Sequence, residues 1–205
     1  MSALHNLSTR AKLVVVLIVM MLFLAIVTVV GLYALQTVSR AKDVVTDLTM
    51  VTNDVNLERM AVMTRMIVST DEDRTTWGNV ITQAQKDSGI TMGRLGNYFG
   101  NRTEAKTFDQ LNRTLSDYND ARSGVLVSID THRLEEAKST IFNVQMPRYN
   151  TIEKYITALQ DAAGKEAAYQ IWMSRNIFLG CLGLALLAAA VMVWWLERVI
   201  ATPLR

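Results

Sequence analysis

Residues 13–35 read LVVVLIVMMLFLAIVTVVGLYAL, and this stretch decides the fold because none of its residues is charged. At a rise of about 1.5 Å per residue, a helix of this length is longer than the roughly 30 Å of a bilayer core. A second uncharged run, residues 177–196, lies near the other end of the chain. The sequence therefore predicts two transmembrane helices with one long polar segment between them.

Basic residues lie just outside both predicted spans. Arg10 and Lys12 precede the first span, and Arg198 and Arg205 follow the second. Since basic residues at the ends of spans stay in the cytoplasm, we expect both termini inside and the intervening segment outside. The first apolar run also exceeds the roughly 7–15 residues of a signal-peptide core, which favours an uncleaved anchor over a cleaved signal. The predicted boundaries are a cytoplasmic tail at 1–12, transmembrane helix 1 at 13–35, an extracytoplasmic domain at 36–176, transmembrane helix 2 at 177–196 and a cytoplasmic linker at 197–205.

The composition excludes several classes of protein. The net charge of +2 is too small to favour nucleic-acid binding. Cys181 is the only cysteine, so no disulfide can form within one chain. No charged residue interrupts either predicted span, so neither span offers an ionisable group for a proton or ion pathway. Half of the residues are hydrophobic and only two are proline, which favours an all-helical protein.

The segment between the spans has the pattern of four amphipathic helices joined by short turns. The first carries apolar residues at steps of three and four, and no glycine or proline lies between Tyr33 and Ser69. We therefore predict an all-α fold: an antiparallel four-helix bundle whose first and fourth helices are continuous with the two transmembrane helices. The seam of the first helix, an expected dimer contact, comprises Val38, Ala41, Val45, Leu48, Thr52, Val55, Arg59, Val62 and Met66.

Two short motifs predict where the second and third bundle helices begin. Ser69 and Glu72 are three residues apart, as in a capping box that starts a helix. Asn101 and Glu104 have the same spacing. We expect each pair to satisfy backbone N–H groups in the first turn of the helix that follows.

The fourth bundle helix has a predicted start and a predicted break. Asp130 and Thr131 have side chains suited to a helix start, and acidic residues follow them within a turn. Pro147 lies inside the same helical pattern and has no backbone N–H to donate. We therefore expect this helix to begin near Asp130 and to kink or break at Pro147.

The chain resembles a known family through the order and spacing of four motifs. These are the opening AsnLeuSerThrArgAlaLysLeu at 6–13, GlyLeuTyrAlaLeu at 31–35, the AlaArg pair at 121–122 and the ending ArgValIleAlaThrProLeuArg at 198–205. Together with the bundle pattern they resemble the four-helix-bundle sensor region of bacterial methyl-accepting chemotaxis proteins, and of related sensor kinases and cyclases. The ending looks like the first residues of a HAMP linker.

This resemblance implies a sensory role in the bacterial inner membrane. The implied protein is a homodimeric transmembrane chemoreceptor module that binds a small carboxylate in the periplasm and passes a helix displacement across the membrane. A cytoplasmic kinase or adaptor would be engaged only through a C-terminal region beyond Arg205, so the chain is expected to be a fragment or a truncated receptor. The alternatives are the sensor region of a histidine kinase or diguanylate cyclase, or a structural or adaptor membrane protein without a small ligand.

Four arginines are the main candidates for ligand contact. In the family, ligand binds between the first and fourth helices, and arginine suits a carboxylate because its planar fork donates two parallel hydrogen bonds. Arg59, Arg122 and Arg148 fall on apolar stripes, where an unpaired charge is unfavourable. Arg65 is 30 residues beyond the first span, or about 45 Å along a helix, and Arg148 lies at a similar height before the second span.

The expected break at Pro147 adds three candidates. Asn143, Tyr149 and Thr151 surround it, and a helix break can free backbone groups for a ligand. The competing interpretation is structural, since arginine stems cover apolar surface and nearby acids could pair with the heads. The acids near enough in sequence are Glu58, Asp117, Asp120 and Glu153.

Other chemistry has little support in the sequence. His132 has no second histidine or cysteine at ligand spacing, and methionines at helical spacing, such as Met60 and Met63, are more typical of a core than of a metal site. We find no nucleophile–base pair and no phosphate-binding loop. The sequence therefore predicts a protein that is not an enzyme and that has no catalytic residue, no metal and no cofactor.

Overall fold

The computed structural model describes residues 9–200, and in that range the chain forms helices and turns without a strand. Three short connections divide the described chain into four helical arms, the last of which is interrupted. The all-α prediction is confirmed. The elements are α1 (Thr9–Ile67), α2 (Asp71–Phe99), α3 (Ala105–Asp130), α4 (Leu134–Thr140), a π-helical turn (Ile141–Gln145) and α5 (Met146–Ile200).

The described chain divides into two compact units. One consists of residues 40–166, which we call the bundle, and the other of the described residues up to Ser39 and from Ala167 onward. The helices α1 and α5 each contribute to both units. Residues 1–8 of the predicted cytoplasmic tail and residues 201–205 of the predicted linker lie outside the described range.

Short connections make the bundle helices antiparallel neighbours. The α1–α2 connection is residues 68–70 and the α3–α4 connection is residues 131–133, and both lie at what we call the loop end of the bundle. The α2–α3 connection, residues 100–104, lies at the opposite end. The bundle therefore has the up-and-down order that the sequence predicts.

The helix starts differ from the predicted motifs. Thr70, not Ser69, caps α2, and its hydroxyl accepts a hydrogen bond from the Asp73 N–H at 3.1 Å. The prediction for Asn101 and Glu104 is wrong, because Asn101 lies in a turn and Glu104 precedes α3 without a capping side-chain bond. A Ser or Asn followed three residues later by Glu therefore indicates roughly where a helix begins, but it does not identify the residue that caps the helix.

The fourth helical arm begins later than predicted, because Asp130 and Thr131 end α3. The Arg133 N–H donates to the Ser128 carbonyl at 2.8 Å, and the His132 N–H donates to the Ile129 carbonyl at 3.0 Å. With His132 at φ 59°, these two bonds form a Schellman motif, in which glycine is the usual left-handed residue. The acidic residues that follow lie in the first turn of α4.

The predicted interruption near Pro147 is confirmed and takes the form of a π-helical turn. The Met146 N–H donates to the carbonyl of Ile141, five residues back, at the end of the Ile141–Gln145 turn. Pro147 follows as the second residue of α5, and because it has no N–H it cannot donate to the carbonyls of the turn before it. The turn adds a residue to the helical pattern just before the proline.

Two apolar clusters fill the bundle. The loop-end cluster contains Ala61, Val62, Ile81, Val125, Ile129, Ala137 and Ile141. The aromatic cluster is larger and contains Leu48, Val55, Leu95, Phe99, Phe108, Tyr118, Tyr149 and Ile152, among others. Between the two clusters in sequence, every helical arm contributes at least one buried polar residue, and we call four of these, one from each arm, the polar layer. Its members are Glu58, Ser88, Arg122 and Gln145.

The predicted dimer seam on α1 is wrong in part. Ala41, Leu48, Val55 and Val62 are buried inside this one chain, where they pack in the bundle core. A separate apolar row on α1 is exposed instead and includes Met50, Leu57, Met60 and Ile67. Successive members of this row are seven or three residues apart, which is a helical spacing like that of the predicted seam. None of them belongs to that seam.

The unit outside the bundle has the character of membrane-spanning helices. Two stretches, Met20–Ile67 and Leu134–Val191, each contain an 18-residue window apolar enough to cross a membrane, with mean hydropathies of 2.1 and 1.7. At most 6% of either window is buried within the chain, which is unlike the core helix of a soluble protein. These windows indicate a membrane protein.

Candidate functional site

Arg122 and Glu58 form an ion pair in the middle of the bundle. The side chain of Arg122 is 3% exposed and that of Glu58 is 2% exposed. Burial disfavours the charged guanidinium and lowers the pKa of Arg122. A carboxylate in contact offsets that loss of hydration. Arg122, a predicted ligand contact, is therefore paired with Glu58 of α1 within the same chain.

Arg65 joins α1 to α3 at the loop end. Its Nη2 lies 2.9 Å from Oδ1 and 3.2 Å from Oδ2 of Asp130, the last residue of α3. The pair is more open than the Arg122 pair, with Arg65 19% and Asp130 50% exposed. This contact ties together the ends of two antiparallel helices.

The candidates around Pro147 make mostly local bonds. Arg148 Nη1 donates to the backbone carbonyl of Asp117 on α3 at 2.5 Å. The Thr151 hydroxyl donates to the Pro147 carbonyl at 2.9 Å. Asn143 is exposed and donates to the Ser139 hydroxyl at 3.1 Å. Of these three, only Arg148 links α5 to another helix.

Arg59 is placed differently from the other three arginines. Its guanidinium lies over the Tyr149 ring at 4.5 Å from the centroid, which is cation–π geometry, and its Nη1 is 3.8 Å from the Met146 sulfur. Tyr149 donates its hydroxyl proton to Glu153 on the same helix. Among the described residues, neither Arg59 nor Arg148 has a carboxylate partner. These two arginines therefore retain donors for an anionic ligand.

Two tyrosines border Arg59 and have perturbed acidity. Burial raises the pKa of Tyr118 to about 12, and the positive charge of Arg59 opposes that shift. Burial also raises the pKa of Tyr149, with its hydrogen bond to Glu153 acting in the same direction. Both phenols are therefore protonated at neutral pH and can act as hydrogen-bond donors. Arg59, Tyr118 and Tyr149 bring together α1, α3 and α5.

The arrangement is suited to binding an anion by hydrogen bonds and charge. Two guanidiniums with free donors can hold a carboxylate. Among residues 9–200, no group of three or more His, Cys, Asp or Glu side chains could hold a metal ion.

Two buried side chains with polar atoms, Tyr118 and Ser88, are not identified as site residues from the sequence. Each lies on the apolar stripe of its helix, where the pattern indicates only a core position. A usable signal was present for Glu58, because Val51, Val55, Glu58 and Val62 follow steps of four, three and four. The predicted seam placed Arg59 on the stripe, one residue away, and the structure buries Glu58 instead.

Comparison with known proteins gives one match. A family model described as a four helix bundle sensory module for signal transduction matches residues 6–170, about four fifths of the chain. No curated protein matches the chain, and no solved structure matches it.

Proposed function

This chain belongs to the family of four-helix-bundle sensory modules for signal transduction, and we propose that it binds a small carboxylate outside the cytoplasm and transmits that event across the membrane. Membership confirms the resemblance to the sensor region of methyl-accepting chemotaxis proteins and makes the chain a chemoreceptor-type sensor. The ligand, the topology and the signalling step are the proposal. Its role is binding and transmission rather than catalysis.

The proposal that the ligand is a carboxylate rests on the surroundings of Arg59 and Arg148. Both lie where helices α1, α3 and α5 meet, and neither has a carboxylate partner among the described residues. An arginine held against a tyrosine ring keeps its outward N–H donors available. In this proposal Arg59 and Arg148 bind the carboxylate, Tyr149 orients Arg59, and Asn143 and Thr151 line the approach. Arg65 and Arg122 stay in their ion pairs with Asp130 and Glu58 and contribute to the site through those pairs.

The exposed row on α1 supports a homodimer. Met50, Leu57, Met60 and Ile67 are between 41% and 83% exposed, and they follow one side of the helix over several turns. A row of large apolar side chains facing solvent is typical of an interface. We propose that the same row on a second copy covers it, so that the two α1 helices pack together.

The helices α1 and α5 provide the route for the signal. Each is a continuous helix that belongs both to the bundle and to the apolar unit. Packed helices shift by small discrete steps, so a ligand held between α1 and α5 can change their relative position. In the proposed topology the bundle is periplasmic, both termini are cytoplasmic, and the apolar stretches cross the inner membrane.

A binding experiment tests the ligand class. The full chain in detergent micelles is screened by thermal shift and calorimetry against organic acids such as succinate, malate and citrate. We expect at least one acid to stabilise the bundle, and Arg59→Ala to weaken its binding about tenfold or more. Arg113→Ala, which removes an exposed arginine of α3, is the matched control and is expected to bind as the unchanged chain does.

The same screen defines the contrary result. If no organic acid stabilises the chain, or if Arg59→Ala and Arg113→Ala bind the acid equally well, the carboxylate proposal is wrong. Failure to dimerise would leave the ligand class standing, since the arginine contacts described above lie within one chain.

A further inference from the structure

A groove of about 500 Å³ lies between α2 and α3, apart from the arginines of the proposed carboxylate site. Ser88, Gly89 and Gly93 line it from α2, and Asn112 and Asn119 line it from α3. Glu58 of the polar layer also lines the groove. Its volume lies in the range of small-molecule sites, which is roughly 300–1,000 Å³.

The glycines of this groove are not required by the fold. No described glycine has a positive φ, and a Cβ added at Gly89 or Gly93 would meet no atom within 4 Å. Glycine within a helix is less stable than alanine because it loses more backbone entropy on folding. The bundle would therefore be more stable with alanine at both positions. What an alanine would remove is open space along the groove.

A buried hydroxyl gives an independent indication of a ligand. Ser88 is 4% exposed, it lines the groove, and its Oγ has no hydrogen-bond partner among the described residues. Asn119 Oδ1, also on the groove, is likewise without a partner in the described part of the chain. Buried polar groups are nearly always hydrogen-bonded, so an unpaired hydroxyl in the wall of a groove favours a bound group that pairs with it.

The lining specifies the chemistry of that group. No lysine or arginine lines the groove, and its one acid, Glu58, is already paired with Arg122. The remaining polar groups are amides and hydroxyls, which donate and accept hydrogen bonds without carrying charge. Apolar contact comes from Met92 and Leu115. This combination suits an uncharged ligand with several hydroxyl groups and an apolar ring face.

We propose that the α2–α3 groove is a second ligand site, which binds a small uncharged polyhydroxyl compound such as a sugar or cyclitol. Ser88 and Asn119 pair with its hydroxyls, and Gly89 and Gly93 let it approach the α2 backbone. Because Ser88 and Glu58 belong to the polar layer, a ligand in the groove contacts that layer directly. This site lies between α2 and α3, whereas the carboxylate site lies where α1, α3 and α5 meet, and the two sites bind different classes of ligand.

Matched alanine variants test this site. The probes are myo-inositol and D-glucose, added in millimolar excess to the full chain in detergent micelles and followed by calorimetry and melting temperature. Gly89→Ala and Gly93→Ala are expected to raise the melting temperature of the free chain by a few degrees while weakening probe binding about tenfold or more. Ser88→Ala is expected to weaken binding about two- to tenfold.

The control is Gly124→Ala. Gly124 is an exposed glycine of α3 that does not line the groove, and its added Cβ would also meet nothing within 4 Å. This variant is expected to gain stability with unchanged probe binding, and Arg59→Ala is expected to bind the probe as the unchanged chain does. If neither probe binds, or if Gly89→Ala and Gly93→Ala bind it as tightly as Gly124→Ala, the proposal is overturned.

Discussion

The polar layer and the loop end of the bundle each hold one arginine–carboxylate pair between α1 and α3, and they differ mainly in burial. Arg122 and Glu58 are about 3% and 2% exposed, whereas Arg65 and Asp130 are 19% and 50% exposed. The layer pair lies between two apolar clusters, and the loop-end pair lies beside the Schellman motif of α3.

The same chemical pair therefore has two roles in this bundle. In water, the attraction between exposed charges is screened, so an open pair contributes roughly 0–1 kcal/mol. In the core, each charge has lost its hydration, so removal of one partner leaves the other uncompensated. The layer pair therefore fixes how α1 and α3 fit together inside the core, while the loop-end pair only joins the ends of the same two helices.

The largest expected effect comes from breaking the layer pair. Glu58→Gln leaves the Arg122 guanidinium buried without a carboxylate, and we expect a loss of about 3–5 kcal/mol in the free energy of unfolding. Chemical denaturation of the bundle, followed by circular dichroism of the full chain in micelles, measures it. The double variant Glu58→Leu/Arg122→Met is the control and should recover most of the loss. Equal destabilisation in both would show that the charges are not what matters.

The next effect concerns Tyr118, which is buried close to the layer. Its pKa is about 12 in the folded chain and about 10 when unfolded, so the folded state holds the phenolic proton more tightly. Its contribution is complete below about pH 10 and is lost as pH rises towards about 12, and it amounts to roughly 3 kcal/mol.

Tyr118→Phe isolates this contribution. The Tyr118 hydroxyl has no partner among the described residues, so we expect the variant to be nearly as stable as the unchanged chain at neutral pH. Unfolding measured from neutral pH to about pH 11.5 should show a shallower alkaline decline for the variant. Identical declines in the two proteins would contradict the assignment to Tyr118.

The smallest effect is expected at the loop end. Arg65→Met and Asp130→Asn should each cost about 1 kcal/mol or less, because both side chains are partly hydrated. A double-mutant cycle measures their coupling, which should fall further as salt is added. A coupling as large as that expected in the polar layer would remove the distinction between the two regions.

The sequence predicts the architecture well because periodicity carries the information. The two uncharged runs, the four amphipathic arms and the interruption at Pro147 all follow from local rules of helix length, apolar spacing and proline chemistry. Helix starts are predicted less accurately. Asp130 and Thr131 have side chains suited to starting a helix, but here they end α3, because His132 after them adopts a left-handed conformation.

The site is harder to predict because partners are chosen in three dimensions. The sequence identifies Arg59 and Arg122 as unusual on their stripes, yet it does not show that Arg122 meets Glu58 while Arg59 meets a tyrosine ring. The π-helical turn has a similar effect on α5. It adds one residue before Met146, which changes the side-chain directions that a uniform helix would give to the residues around it.

The most direct test of the account is whether a bound ligand moves the two spans. Cys181 is replaced by serine, single cysteines are placed in pairs along residues 20–35 and 177–191, and disulfide formation is followed in membrane vesicles. We predict that an organic acid that stabilises the bundle changes which pairs crosslink fastest, and that Arg59→Ala abolishes the change. An unchanged crosslinking pattern with every acid that binds the bundle would contradict it.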